Sequence, residues 1–457
     1  MRGALSQLQS KLAGARMTAD VRFDGVSTDS RNVATGNLFV ALRGERFDAH
    51  DFLDQVLAQG AAAVVAERLP EGWTAPALVV PDTRVALGQI GNYWRKQFAI
   101  PLIGVTGSNG KTTVKEMIAA ILEAAFGADH YLATRGNFNN EIGVPLTLLR
   151  LHDGCRAAVV ELGMNHPGEI AVLSRIAQPT VGLVNNAQRE HQEFMESVEA
   201  VAKENGAVIS HLPKSGTAVF PADDTYTPLW RSHAEAAGAR IISFGLSDGA
   251  DVHCTYAAND FGSDMQVKAC GDEFDITLAA AGEHNVRNAL AAIACTAAIG
   301  IGTDAIVRGL QSFAPVNGRL QRKTALNGAL VIDDTYNANP DSVRAAIDVL
   351  ANAKAPRILV LGDMGEVGNE GRQYHEEIGA YARARGIEQL LALGELAQHA
   401  AASFGSGAVH HKDIAALNAA LAAQSNHNTT VLVKGSRFMK MERAVQHLLG
   451  QAHQETH

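Results

Sequence analysis

The 457-residue sequence has few cysteines, few aromatic residues and no long apolar segment. Its four cysteines lie far apart and form no Cys-x-x-Cys pair, which argues against a zinc ribbon and a disulfide framework and favours buried free thiols. No apolar run approaches the length that spans a bilayer, and the N-terminal segment lacks the apolar core and cleavage site of a signal peptide. These absences predict a cytoplasmic protein without membrane insertion.

The sequence also has no excess of positive charge. Its net charge of −9 provides no general attraction for nucleic acid, so a phosphate-bearing ligand must be held by a local site. We therefore expect no nucleic-acid partner, and we expect a monomer.

The length of the chain exceeds what one hydrophobic core usually supports, and its pattern predicts an α/β protein of three domains. Residues 1–97 predict a small mixed α/β domain, since short apolar runs alternate there with short helices. Residues 98–313 predict a central P-loop ATPase-like domain with a parallel sheet, in which 247–282 form antiparallel strands. Residues 314–457 repeat the alternation of strand and helix and predict a Rossmann-like α/β domain.

A glycine-containing loop between a buried strand and a helix is the strongest local signal. Its residues are Thr106, Gly107, Ser108, Asn109, Gly110, Lys111, Thr112 and Thr113. Glycines let backbone N–H groups approach phosphate oxygens, Lys111 supplies a positive charge, and Thr112 offers a hydroxyl to Mg²⁺. Val105 replaces the first glycine of the general P-loop pattern, so the loop is a variant. The alternative is a glycine-rich turn with an incidental lysine.

An acidic residue, Glu161, ends the apolar run 157–162. At the carboxyl edge of a parallel sheet, its carboxylate can meet a Mg²⁺ ion that is bound to phosphate. Considered alone, it could equally be a charge at the start of a helix.

The phosphate loop and further segments, over almost the entire chain, resemble the Mur ligase family. Ser30 and Arg31 lie in a segment that resembles the part of the family that holds a uridine nucleotide, although an exposed ion pair in a turn is the alternative. Residues 136–143 resemble the family's substrate loop, and 161–170 resemble its metal-binding segment. The resemblance implies that three asparagines of the substrate loop bind substrate, namely Asn137, Asn139 and Asn140.

The same resemblance implies roles for other residues. It makes Lys111, Glu161, His191 and Arg319 catalytic and makes Thr112, Glu161 and His191 ligands of magnesium. A single histidine is otherwise usually a surface or packing residue.

On the nucleotide side, Asn288 is expected to contact the base, Arg319 the phosphates and Asp334 the ribose. The alternative for Asn288 is a helix-cap role, and the alternative for Arg319 is a surface ion pair. Substrate contacts are also implied for Tyr336, Asn337 and Asn339.

Two further groups of residues bear on the resemblance. Residues 362–364, Glu366, His375 and 434–436 resemble the family near the ends of the third domain's strands and are candidates for the acyl-phosphate side. Asn205 stands where the family commonly has a carbamylated lysine that holds a second magnesium. Lys203 is two residues earlier, about 200° around the helix, and cannot simply replace it. Three alternatives follow: Asn205 or water takes over the coordination, the helix register differs, or the gapless alignment is shifted by two residues.

The resemblance therefore implies an ATP- and Mg²⁺-dependent ligase. Its substrates would be UDP-N-acetylmuramoyl-tripeptide and D-alanyl-D-alanine, joined through an acyl phosphate in peptidoglycan precursor synthesis. Because ATP is expected on the central domain and several contacts on the third, the order of the domains also predicts closure about a hinge near residue 314. One alternative is a related ligase that adds a different amino acid. Another is an ATP-operated switch that forms no amide.

Overall fold

The computed structural model describes residues 1–190 and 193–451, and the predicted site residue His191 lies outside them. Three domains follow one another along the chain, each around its own main sheet. None of the helices in the described part combines the length and apolar character needed to cross a bilayer.

The first domain is a small mixed α/β unit. Its elements are β1 (Arg2–Ala4), α1 (Leu5–Gln9), β2 (Arg16–Met17), β3 (Arg22–Asp24), β4 (Val26–Ser27), β5 (Leu38–Val40), a 3₁₀ helix (Ala49–Phe52), α2 (Leu53–Ala58), β6 (Ala63–Ala66), β7 (Ala77–Val79) and α3 (Thr83–Arg95). The strands β2-β7-β6-β5-β4 form one sheet, parallel except at β2, and β1 pairs with β3. Asp82 begins α3 by accepting hydrogen bonds from the Arg84 and Val85 amides.

The central domain carries the phosphate loop. Its elements are β8 (Leu102–Thr106), α4 (Lys111–Phe126), β9 (Tyr131–Ala133), α5 (Gly143–Leu148), β10 (Ala157–Glu161), α6 (Glu169–Ala177), β11 (Val181–Val184), α7 (Val198–Ser210), β12 (Thr217–Pro221), α8 (Thr227–Ala237), β13 (Arg240–Gly245), β14 (Val252–Asn259), β15 (Gly262–Ala269), β16 (Asp272–Leu278), α9 (Glu283–Ala298) and α10 (Thr303–Ser312).

These strands form a nine-stranded sheet in the order β16-β15-β14-β13-β12-β11-β8-β10-β9. Its strands from β9 to β14 are parallel, and their side chains alternate between two apolar cores that helices cover on either face. The remaining strands confirm the antiparallel prediction, because β14, β15 and β16 pair in that sense. A buried strand at the centre of such a sheet is apolar throughout, which is why β8 was recognisable.

The third domain is a second, Rossmann-like α/β unit. Its elements are β17 (Gln321–Thr324), β18 (Leu330–Asp334), α11 (Pro340–Ala351), β19 (Arg357–Gly362), a 3₁₀ helix (Gly368–Glu370), α12 (Gly371–Ala384), β20 (Gln389–Leu393), α13 (Ala397–Phe404), β21 (Ala408–His411), α14 (Ile414–Gln424), β22 (Thr430–Lys434), a 3₁₀ helix (Arg437–Met439) and α15 (Glu442–Leu449). The sheet order is β17-β18-β22-β19-β20-β21, with only β17 antiparallel.

Two features of the fold differ from the sequence prediction. Strands β17 and β21, which the sequence pattern did not reveal, lie at the edges of their sheet and are partly exposed, so they carry no buried apolar run. The expectation of four buried thiols is wrong for one of them: Cys155, Cys254 and Cys295 are buried, but Cys270 is exposed. Cys270 lies in the turn between β15 and β16 with φ +53°, where the side chain has no sheet face to enter.

Candidate active site

The phosphate loop lies at the carboxyl edge of the central sheet, in a cleft of about 790 Å³ between the central and third domains. Two of its glycines have positive φ, Gly107 at +134° and Gly110 at +83°. A Cβ atom on Gly107 would lie 2.9 Å from the Cβ of Asn185, and one on Gly110 would lie 2.5 Å from Asn288 Oδ1. Glycine is therefore required at both positions by backbone angle and by space.

Several loop amides are already engaged by neighbouring side chains and carbonyls. The Gly107 N–H donates to Asn205 Oδ1 at 3.1 Å, Ser108 N–H to the Asn186 carbonyl at 3.2 Å, and Asn109 N–H to Asn186 Oδ1 at 2.9 Å. The first amides of α4 have no acceptor within their own helix. Phosphate oxygens are consequently best received by the start of α4, at Lys111, Thr112 and Thr113.

The Lys111 ammonium is folded back over its own loop. It donates to the carbonyls of Gly107 at 2.6 Å and Ser108 at 3.1 Å, and it pairs with Glu190 Oε1 at 2.9 Å. Only 14% of its side chain is exposed. The lysine is thus held beside the start of α4, where an incoming phosphate would compete with Glu190 for it.

Glu161 and Thr112 form the candidate magnesium site. The Thr112 hydroxyl donates to Glu161 Oε2 at 3.0 Å, and Asn139 Nδ2 donates to Glu161 Oε1 at 2.9 Å. The Glu161 amide is itself held by Thr134 Oγ1 at 3.0 Å. These oxygen donors fit Mg²⁺, which commonly binds through one or two carboxylates together with substrate phosphates.

Protein groups alone do not complete a metal site here. Across residues 1–190 and 193–451, no three His, Cys, Asp or Glu side chains are grouped closely enough to hold a metal ion. The magnesium at Thr112 and Glu161 would therefore take its remaining ligands from phosphate oxygens and water. The predicted third ligand, His191, is outside the described residues.

Arg319 reaches the phosphate loop from the third domain. Its Nη2 donates to Thr112 Oγ1 at 3.0 Å, and its guanidinium lies 4.1 Å from the ring centroid of Tyr336. The turn that presents it is fixed by Asp334 Oδ1, which accepts from the Leu320 amide at 3.1 Å. The stacked ring and the turn hold a permanent cation over the phosphate loop.

Asp334 is more occupied than a free ribose ligand would be. Besides the Leu320 amide, its carboxylate accepts from the buried Lys434 ammonium at 2.5 Å, and Lys434 also donates to the Asn337 carbonyl at 2.9 Å. Each carboxylate oxygen has a further lone pair, so a ribose contact at Asp334 stays a prediction. The observed role of the residue is to join two strand ends, β18 and β22.

Asn288 lies inside α9 and is buried, with a relative exposure of 5%. Its Oδ1 accepts from Asn185 Nδ2 at 2.9 Å, and Asn185 Nδ2 also donates to the Asn109 carbonyl at 2.8 Å. Asn288 therefore connects α9 to the phosphate loop, and its contact with the base stays a prediction. Burial lowers the pKa of nearby His284, which also lines the cleft, so this imidazole is kept neutral.

The predicted substrate loop faces the phosphate loop across the cleft. Asn137, Asn139 and Asn140 all line the cleft. Asn139 holds Glu161, whereas Asn140 Oδ1 accepts from the Gly143 amide at 2.9 Å at the start of α5. Arg84 of the first domain pairs with Glu141 at 3.1 Å and thereby ties this loop to α3.

The predicted substrate residues of the third domain also line the cleft: Tyr336, Asn337 and Asn339. Asn339 begins α11 by accepting from the Ser342 amide at 2.8 Å, and its Nδ2 donates to Asn109 Oδ1 at 2.9 Å. The Asn339 side chain thus caps the start of α11 and also joins the third domain to the central one.

Ser30 and Arg31 lie elsewhere, outside the residues that line the cleft. Arg31 is 87% exposed and pairs with Asp29 at 2.9 Å. This contact lowers the pKa of Asp29 to about 2. Most of the other predicted phosphate-loop, metal, nucleotide and substrate residues that the structure describes line the cleft, Gly107 being an exception within the phosphate loop.

The candidates around β19 mainly support a loop. His375 is fully buried; its Nδ1 donates to the Gly371 carbonyl at 2.6 Å and its Nε2 accepts from the Met364 amide at 3.0 Å. Burial lowers the pKa of His375, which keeps the imidazole in this neutral form. His375 thus holds the loop that brings Glu366 to the cleft.

Sequence reasoning missed Arg189, which joins the central and third domains through several contacts. Its guanidinium donates to Asp341 Oδ1 at 2.7 Å and Glu377 Oε2 at 2.8 Å, and it lies 5.2 Å from the ring centroid of Tyr374. The bonds to Asp341 and then Glu377 raise the pKa of Arg189. The one available signal was its position just after the run that ends at Asn186.

The structure also shows the surroundings of position 205, where this chain has asparagine in place of the family's lysine. Asn205 is 1% exposed beneath the phosphate loop, while Lys203 is 60% exposed and pairs with Glu199 at 2.6 Å. Lys203 is therefore no substitute for a lysine under the loop.

Comparison with known proteins agrees with this architecture. Sequence models described as "Mur ligase family, catalytic domain", "Mur ligase middle domain" and "Mur ligase, glutamate ligase domain" match residues 22–95, 105–296 and 318–437. The UDP-N-acetylmuramoyl-tripeptide–D-alanyl-D-alanine ligase of Escherichia coli is 40% identical over 97% of this chain and 98% of its own length. The ligase of the same name from Haemophilus influenzae is 38% identical over 95% of each chain.

Solved structures agree as well. A crystal structure of MurF from Acinetobacter baumannii superposes with a TM-score of 0.90 at 35% identity, covering 98% of each chain. MurF from Thermotoga maritima in complex with ADP gives a TM-score of 0.85 at 27% identity, covering 93% of this chain and 97% of that one. From the three matched domains, the extent of identity and the shared structure, the chain belongs to the Mur ligase family.

Proposed function

We propose that the chain joins D-alanyl-D-alanine to UDP-N-acetylmuramoyl-tripeptide with the consumption of ATP. The supporting observation is the contact of Arg319 with Thr112, which places a cation of the third domain on the phosphate loop of the central one. The relatives from Escherichia coli and Haemophilus influenzae bear the name of this activity, and they match 97% and 95% of the chain. The product would be the UDP-linked pentapeptide of peptidoglycan synthesis.

In the proposed reaction, the terminal carboxylate of the tripeptide attacks the terminal phosphorus of ATP. An acyl phosphate forms and ADP leaves. The amine of D-alanyl-D-alanine then attacks the acyl carbon, and phosphate departs from the tetrahedral intermediate as the amide forms. Mg²⁺ would neutralise phosphate oxygens and draw electrons from the phosphorus.

The chain's own residues bind and orient the reacting groups. The start of α4 and the Lys111 ammonium receive the phosphates. Arg319 can follow the charge that develops on the transferred group, because its guanidinium cannot lose its proton and its ring contact fixes its direction. Glu161, held by Asn139, places its carboxylate for Mg²⁺.

Closure of the third domain onto the central one would exclude water from the acyl phosphate. Three contacts support this arrangement: Arg319 with Thr112, Asn339 with Asn109, and Arg189 with Asp341. We further propose that Ser30 and Arg31 bind the uridine nucleotide. We also propose that the chain acts as a monomer in the cytoplasm, where ATP is available.

The proposal is tested by measuring phosphate release from ATP and Mg²⁺ with UDP-N-acetylmuramoyl-tripeptide, with and without D-alanyl-D-alanine. The uridine product is weighed by mass spectrometry. We expect release to require both substrates and the product to gain the mass of the dipeptide less water. ATP turnover without a gain in mass would overturn the assignment.

A further inference from the structure

A second cavity, of about 410 Å³, lies at the amino edge of the central sheet. Three neighbouring strands begin at its wall: Pro101 directly precedes β8, Val181 begins β11 and Thr217 begins β12. The phosphate loop lies at the opposite edge of the same sheet, and the two cavities share no lining residue. The proposed reaction therefore does not use this second cavity.

The walls of the second cavity are mostly apolar. They come from the connection between α3 and β8, from the start of β11 and from the end of α9: Phe98, Ile100, Pro101, Val181, Ala298 and Ile299. Hydroxyl groups of Thr180, Ser215 and Thr217 add a few polar positions. Apolar walls with a small number of polar groups, at this volume, are typical of sites for small organic molecules.

Arg95 places a buried cation in the wall of this cavity, with a relative exposure of 5%. Its guanidinium donates to the carbonyls of Phe98 at 2.6 Å, Ile100 at 3.0 Å and Ala177 at 3.2 Å. These bonds use three of the five N–H groups of the guanidinium and leave one on each terminal nitrogen. All three acceptors are uncharged.

The positive charge of Arg95 is not neutralised within residues 1–190 and 193–451, because no carboxylate there pairs with it. Burial lowers the pKa of Arg95, and no acidic neighbour opposes this effect. The end of α6, at Ala177, offers only the partial charge of a helix terminus. Since a buried arginine is seldom without a charged partner, the cavity favours an anion.

A second arginine strengthens the positive potential beside the cavity. Arg240 donates to two residues of the wall, to Thr217 Oγ1 at 3.4 Å and to the Ala298 carbonyl at 3.1 Å. The latter bond satisfies a carbonyl at the end of α9, which would otherwise repel an anion.

We infer that this cavity binds a small organic carboxylate with an apolar body. The carboxylate would accept the two N–H groups that remain on the terminal nitrogens of Arg95, since a planar carboxylate matches the guanidinium fork. The apolar body would be buried against residues such as Ile100 and Ile299. Inorganic phosphate has no apolar part and fits these walls less well. The inference does not depend on the proposed ligase activity.

The first experiment compares two probes of similar shape, 4-phenylbutanoate and the uncharged 4-phenylbutanamide, by ligand-observed NMR titration of the full chain. We expect the carboxylate to bind more tightly than the amide by about tenfold or more, because its oxygens accept from a charged donor. Excess inorganic phosphate should not displace it. Equal affinities of the two probes, or no binding of the carboxylate, would overturn the inference.

The second experiment locates the binding with two matched variants. Arg95→Met keeps an apolar stem and removes the charge, so the preference for the carboxylate over the amide should disappear. Lys96→Met removes the exposed cation of the next residue, which does not line the cavity, and should keep the preference. Equal behaviour of the two variants would show that the carboxylate binds elsewhere.

A third variant leaves Arg95 in place, because Arg95→Met could also disturb the junction between the first and central domains. Ala298→Leu adds volume inside the wall and should weaken binding of both probes several-fold. Circular dichroism verifies that each variant is folded. If Arg95→Met does not fold, full retention of carboxylate binding by Ala298→Leu would refute the assignment to this cavity, and its loss would support it.

Discussion

The phosphate loop and the Ser30–Arg31 segment were both identified by motif, but the structure treats them very differently. The phosphate loop is buried at its start, half-buried over the rest, and held by side chains that include Asn186 and Asn205. Arg31 is 87% exposed and contacts a residue of its own turn. The nucleotide side is thus built before any ligand binds, whereas the uridine side offers an exposed cation that a ligand would have to order.

This difference predicts how mutations divide between turnover and binding. Changes in the preorganised part should reduce the rate of the chemical step, because groups fixed before reaction stabilise the transition state. Changes in the exposed part should affect mainly substrate binding, and weakly, because an exposed ion pair contributes little.

The largest effect is expected from Lys111→Met. The variant keeps the length of the side chain and removes the charge that faces the phosphates, so kcat should fall about a thousandfold or more. Lys203→Met, which removes an exposed lysine paired with Glu199, is the control and should retain activity. Phosphate release with both substrates measures the effect, and a fall of less than tenfold would contradict the role of Lys111.

Arg319→Lys should follow, with a loss in kcat of about a hundredfold. Lysine keeps the charge but loses the planar contact with Tyr336 and the directed bond to Thr112. The control is Arg322→Lys, which lies nearby on β17 and faces Phe261. If both variants lose activity equally, the effect comes from the stability of the third domain rather than from the phosphate site.

Arg189→Met sharpens the comparison by testing the contact between domains without altering a proposed phosphate ligand. Loss of its bonds to Asp341 and Glu377 should lower kcat/KM about tenfold, since the open arrangement gains population. Arg372→Met removes an exposed ion pair within α12 and serves as the control. Small-angle scattering of Arg189→Met should show a larger radius of gyration, and unchanged scattering with unchanged kcat/KM would refute the closure role.

The smallest effect is expected from Arg31→Ala. The KM for the uridine substrate should rise a few-fold while kcat stays the same, because an exposed cation contributes little to binding. Arg2→Ala, which removes another exposed ion pair of the first domain, should leave both constants unchanged. A large fall in kcat with Arg31→Ala would break the distinction between the two regions.

Much of the fold was predictable because the central strands are apolar along their whole length. Strands such as β8 and β10 are covered on both faces, so each forms a continuous hydrophobic run that ends at a polar residue. The edge strands β17 and β21 were missed because exposure removes that pattern. In the site, Glu161 was predictable because it ends β10, and Lys111 was predictable because it belongs to the glycine-containing loop between β8 and α4.

The sequence by itself determined the three α/β domains, the phosphate loop and the acidic residue at the end of β10. The order of strands and helices along the chain and the spacing of apolar residues specify these features. Only the tertiary structure decided the partners of these groups. It placed Arg319 on Thr112, Glu190 on Lys111 and Asn205 beneath Gly107, in pairs separated by 79 to 207 residues along the chain. Such contacts depend on how domains and strand ends meet in space, and no local pattern in the sequence records that.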